Sequence, residues 1–225
     1  MNVYWSRTQI GEGTVHWIEP DQLPAIAGAV ERFTVNAQGE LDGLVLDRGN
    51  GVIQLVHFPS HMADEVGAAL KPGDMVTVRG LKPRDAAVIA AVALECANGI
   101  KVVDRGPPKR SDTRTSPFGQ LPMSASGKIR LTLFTAKGKA RGALLEDGTI
   151  VRLPLKQAEQ IKQRLRPGET IAFHGMGYET PHGRVVEVHH VTTSAGKFDV
   201  MMKSDKPLSI RPRTTRPSSD ECSST

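Results

Sequence analysis

The sequence predicts a mainly β protein: two five-stranded barrels in tandem, each with one helix between its third and fourth strands. Three observations carry this expectation. A domain-sized unit occurs twice, its glycines and prolines recur at matched places, and both copies show the same order of strand and helix patterns.

Gly28, Gly39 and Gly43 find counterparts in Gly127, Gly138 and Gly142 at a constant offset of 99. Further on, Phe58 and Pro59 match Leu153 and Pro154, Leu70, Pro72 and Gly73 match Leu165, Pro167 and Gly168, and Gly80 matches Gly175, all at an offset of 95. The first copy therefore holds four extra residues near positions 50–54. Glycine and proline recur in place because each marks a backbone geometry rather than a side-chain role.

The elements follow in the same order in each copy. Residues 28–36 and 127–135 read as first strands that end in a turn at Gly39 or Gly138. Residues 40–47 and 139–146 pair back on them, since a short glycine-bearing loop between β-rich runs signals a hairpin. Third strands fall at 51–58 and 149–153. Helices are expected over 60–70 and 155–165, where Ala158, Ile161 and Leu165 share one helical face and Pro72 or Pro167 ends the run. Fourth strands lie at 75–81 and 170–175, fifth strands at 86–95 and 183–192.

Three strands, a helix and two more strands in so short a unit resemble the OB fold, and closure into a barrel removes the exposed edges of short strands. The arrangement is similar to that of uncharacterised bacterial proteins with two OB folds in tandem. The resemblance implies the fold and implies no activity by itself. It divides the chain into an N-terminal extension (1–27), a first barrel (28–104), a flexible linker (105–121), a second barrel (122–200) and a disordered tail (201–225).

Charge is unevenly shared. The chain carries 29 Lys and Arg against 24 Asp and Glu, net +5. The first barrel is acidic, with seven cations and ten anions, and the second is basic, with twelve and seven. The linker and tail add further positive charge, rich in proline as they are. A basic surplus points to a polyanionic partner.

Aligning the copies locates the difference. Glu31 becomes Arg130, Ala29 becomes Lys128, Glu40 becomes Lys139 and Asp42 becomes Arg141. Strand alternation turns Ile129, Leu131 and Leu133 inward, which sends Lys128 and Arg130 outward; Arg152 likewise faces out between Val151 and Leu153. Lys128, Arg130, Lys139, Arg141 and Arg152, with Lys156 beside them, would share the face on which OB folds hold single strands. Cations along such a groove neutralise phosphates and make affinity salt-dependent. The leading expectation is a non-catalytic protein that holds single-stranded DNA or RNA there.

Aromatic residues are only 4% of the chain, which is poor in the stacking platforms that single-strand binders use. Phe33, Phe58, Phe134, Phe173 and Tyr178 are the few candidates within the copies, while Tyr4, Trp5 and Trp17 precede them. That scarcity, with the acidic first copy, keeps a second expectation open: a protein-binding adaptor or inhibitor that docks a partner through the first barrel.

Other chemistries find little support. His57 and His61 have a spacing that metal ligands use, but the repeat sets Arg152 and Lys156 opposite them, so no metal site is expected. The ingredients of a thermonuclease-type phosphodiesterase are similar, yet the acidic pair Glu146 and Asp147 belongs to a turn, and no base with an orienting partner stands out. No phosphate-binding glycine loop occurs, so neither an enzyme nor a cofactor is expected. Cys96 and Cys222 are too far apart to suggest a disulfide framework. With no apolar run long enough to span a membrane, the expected location is the cytoplasm.

Overall fold

The computed structural model describes residues 19–107, 119–193 and 196–199. Residues 1–18 of the expected N-terminal extension, most of the linker and the tail lie outside the described residues, as do Tyr4, Trp5 and Trp17. The extension's last residues, 25–27, belong to the first strand and pair with the fourth.

The first copy folds as β1 (Ala25–Val35), β2 (Leu41–Asp47), β3 (Ile53–His57), α1 (Ala63–Ala69), β4 (Met75–Leu81), β5 (Val88–Cys96) and β6 (Lys101–Val103). The second repeats it as β7 (Leu121–Phe134), β8 (Ala140–Leu145), β9 (Ile150–Arg152), α2 (Leu155–Gln160), β10 (Thr170–Thr180), β11 (Gly183–Thr193) and β12 (Gly196–Asp199). In the first copy β1 pairs with β2 and β4, β2 with β3, and β4 with β5. A parallel pairing of β3 with β5 closes the circle. The second copy closes the same way through parallel β9 and β11. Two closed five-stranded barrels of OB type result, and closure leaves no edge within either circle. Each carries a sixth strand on the outside of its fifth, which the hydrophobic pattern did not suggest.

The helices are shorter than their apolar spacing implied. A 3₁₀ turn (Ser60–Met62) precedes α1, and another (Lys162–Arg164) follows α2. Both helical segments still seal a barrel end, with Val66 and Leu70 buried in one and Ala158 and Leu165 in the other.

The matched glycines have matched reasons. Gly39 and Gly138 hold φ of 82° and 78° in the first hairpin turn, a region that costs other residues energy. Gly43 and Gly142 admit a neighbouring strand instead: a Cβ would sit 2.4 Å from the Val56 oxygen in one copy and 1.8 Å from the Val151 oxygen in the other.

Even the irregularities repeat. A bulge falls at Glu31 in β1 and at Arg130 in β7, and another pair of register shifts follows Arg79 and His174. The bulge corrects one expectation. An extra residue reverses the in-and-out parity of a strand, so Ile129 enters the core of the second barrel while Leu131 and Leu133 turn toward the first. Leu144, Ile150 and Val185 join them, outside their own barrel and packed with residues of its neighbour. The two barrels thus meet through an apolar patch made largely of the first three strands of the second barrel.

Candidate nucleic-acid interface

Strands β1 to β3 meet strands β7 to β9 at this joint, and equivalent positions face one another. Glu31 and Arg130, the same position in the two copies, form a two-pronged ion pair, with Nη2 donating to Oε2 at 2.7 Å. Asp42 and Arg141 are also equivalent; Oδ2 lies 3.6 Å from Nη1, an ionic contact too long for a hydrogen bond. A position that meets its own counterpart lies near a two-fold axis, as in an isologous dimer. The barrels are therefore related by an approximate two-fold within one chain.

Arg152 fills the centre. It is 3% exposed. Its Nε and Nη2 donate to the Val35 carbonyl at 2.8 and 2.5 Å, and Nη2 also donates to Asp42 Oδ1 at 2.7 Å. Asp42 Oδ1 accepts a third bond from the Thr34 hydroxyl at 3.0 Å. Burial pulls the Arg152 pKa down and the Asp42 carboxylate opposes that pull. The reciprocal of Arg152 is His57, which lies among Asp42, Arg141 and Arg152. Burial lowers its pKa, Asp42 works against the shift, and the two arginines add to it. Three guanidiniums face two carboxylates here, which leaves one positive charge and favours a neutral imidazole.

The six cations singled out in the second copy consequently divide. Arg130, Arg141 and Arg152 do point out of their barrel, but out of the barrel is into the joint, where acidic residues of the first copy hold them. Lys128, Lys139 and Lys156 are exposed to solvent, Lys128 with Glu146 at 3.9 Å. Neither tie nor exposure brings all six to one groove.

A different grouping appears at one mouth of the joint. The turn after β7 abuts the turn after β4: a Cβ on Gly138 would lie 3.0 Å from Pro83 and 3.1 Å from Ala86. Lys137 and Lys139 flank Gly138, Lys82 and Arg84 flank Pro83, and all four are exposed, with Asp85 the acid among them. Helix α2 is tied to the same edge, since the Ala140 N–H donates to Glu159 Oε1 at 2.6 Å, and it exposes Lys156. The sequence comparison missed Lys82 and Arg84 because they sit in the acidic copy. It also missed that opposite charges at one aligned position are what a two-fold joint requires.

The aromatic candidates are largely structural. Phe33, Phe58 and Phe173 are buried, and Phe134 and Tyr178 are half-buried against the core. His57 and His61 diverge: the first enters the joint, while His61 Nε2 pairs with Asp104 Oδ1 at 2.8 Å. No group of three or more potential metal ligands occurs among the described residues.

No family model matches the chain. No curated protein matches it either. Among solved structures it is similar to the wild-type single-stranded DNA binding protein of Thermus aquaticus, at 14% identity and a TM-score of 0.25, over 75% of this chain and 90% of that one. A deletion mutant of that protein gives 14% identity and a TM-score of 0.23, over 82% and 96%. Likeness this slight carries no argument about what the chain binds; strand order and closure alone make it a pair of OB-type barrels.

Proposed function

We propose that the chain binds single-stranded nucleic acid, DNA or RNA, along the cationic edge where Lys82 and Arg84 meet Lys137 and Lys139, with Lys156 extending the track. The observation behind this reading is the abutment of two basic turns from different barrels at Pro83 and Gly138. The turns involved, after the first strand of one barrel and after the fourth of the other, are the loops that OB folds use around oligonucleotides. Lysines on exposed turns neutralise phosphates and do not read bases, and the buried aromatics withhold stacking. The binding is therefore weak, salt-dependent and indifferent to sequence.

Titration of labelled single-stranded DNA and RNA at two salt concentrations tests it. The reading predicts binding that weakens with salt and weakens further in Lys137→Glu with Lys139→Glu. Unchanged affinity and salt slope in that variant would remove the assignment. No binding at low salt, with a protein partner retained after nuclease treatment, would favour docking to another protein.

A further inference from the structure

A cavity of about 360 Å³ lies between the first strand of one barrel and two turns of the other, lined by none of the residues of the cationic edge. Arg32 lines it, reaching from β1 over Gly148 in the turn after β8 and approaching Gly183 at the start of β11. A Cβ at Gly148 would lie 2.5 Å from Arg32 Nη1, so the absence of a side chain there makes room for the guanidinium.

Arg32 stands out for what it lacks. Its Nε is buried without a hydrogen-bond partner, and among the described residues its guanidinium makes no hydrogen bond or ion pair. The rest of the wall is satisfied internally. Asp147 accepts from the Thr149 N–H at 2.8 Å and from its hydroxyl at 3.0 Å. The Thr180 hydroxyl donates to the Gly183 carbonyl at 2.7 Å, and Arg184 holds Glu179 through Nε at 3.1 Å and Nη2 at 2.8 Å. The equivalent of Arg32 in the second copy is Leu131, so this cation departs from the repeat. A planar fork of donors left unpaired in a partly buried cavity matches the oxygens of a phosphate group.

We propose that this cavity binds a small phosphate-bearing ligand, with Arg32 as the residue that grips the phosphate. The cavity falls in the size range of small-molecule sites. Asp147 and Glu179 also line the cavity, and their carboxylates accept hydrogen bonds, which suits a ligand that carries hydroxyl or amino donors beside its phosphate. A nucleoside monophosphate has both.

The test is calorimetric titration of the full chain, at constant ionic strength, with inorganic phosphate and separately with uridine 5′-monophosphate. Saturable one-site binding of either probe supports the site; tighter binding of the nucleotide assigns the ligand as a nucleotide, and equal binding assigns it as phosphate alone. Arg32→Gln should weaken binding at least tenfold. Arg32→Lys keeps the charge and stem but loses the fork, so it should weaken binding less, and it decides the matter if Arg32→Gln does not fold. The pair Lys137→Glu with Lys139→Glu should bind the probe as the unmodified chain does, which separates this site from the cationic edge. Absence of saturable binding by both probes, or full binding by Arg32→Lys and Arg32→Gln alike, would overturn the proposal.

Discussion

Glu31 and Arg130 stand 99 positions apart in the chain, occupy the same bulge in the two barrels, and hold each other by a two-pronged ion pair. A bulge leaves one residue outside the ladder and re-aims its side chain. Here it aims both residues at the axis.

Reversing one member of that pair should therefore hurt more than neutralising it. Glu31→Arg sets two guanidiniums face to face and should cost about 1–2 kcal/mol, a modest figure because both groups are partly solvated. Combining it with Arg130→Glu should recover most of the loss. Urea denaturation of the two singles and the double measures this, and a double mutant no better than the sum of its parts would deny the coupling.

The buried pair behaves differently. Arg152→Met leaves Asp42 beside Arg141 but removes two bonds to the Val35 carbonyl and one to Asp42. Asp42→Ala leaves Arg152 buried without its counterion. The second change should cost about 3–5 kcal/mol and the first less, since Asp42 keeps Arg141 as an ionic neighbour and the Thr34 hydroxyl as a donor, and a methionine fills the vacated space. Equal losses in the two variants would contradict the assigned order.

Acid should loosen the joint. His57 and His182 both have pKa values lowered by burial, so the folded chain binds fewer protons than the unfolded chain as pH falls through the ordinary histidine range near about 6.5. Their contribution is complete above that value and is lost below it. Stability measured from pH 8 to pH 5 should decline on the acid side, and His57→Gln should flatten part of the decline. An unaltered slope in that variant would show that His57 is not among its sources.

Gly142→Ala should be among the most damaging single changes, because the added carbon would lie 1.8 Å from the Val151 oxygen. A loss of about 2–4 kcal/mol is expected. Gly127→Ala makes a useful control: the added carbon would meet a Leu145 methyl at 3.6 Å, ordinary contact.

For the proposed binding edge, four phosphate contacts imply a slope of log affinity against log salt near about −3 for a single strand. Lys137→Glu with Lys139→Glu should bring that slope toward zero by more than one unit. Arg130→Ala should alter stability without altering the slope, since Glu31 already holds Arg130.

Much of the architecture was written in backbone-determining residues. Gly39, Gly43, Gly73 and Gly80 recur because a turn or a crossing strand demands them, and such demands survive while side chains change. Strand order could thus be read from spacing alone. The direction of Leu131 and Leu133 could not, since a bulge at Arg130 breaks the alternation and no residue type announces it. The fate of Arg130, Arg141 and Arg152 was hidden for another reason. A sequence shows that a side chain leaves its barrel, and only the packing of the second barrel shows what it then meets. The aligned pairs Glu31 with Arg130 and Asp42 with Arg141 did carry that information, as complementary signs at one position.

The approximate two-fold joint also fixes a stoichiometry. A symmetric pair of identical barrels would come apart on dilution and could exchange partners. Here the halves share one chain, so each meets the other at a local concentration set by the connecting segment and independent of how much protein is present. Opposite charges at the axial positions add a rule of identity, because two copies of the second barrel would oppose arginine to arginine. The molecule is thereby a dimer of barrels that cannot be diluted and that selects its unlike half.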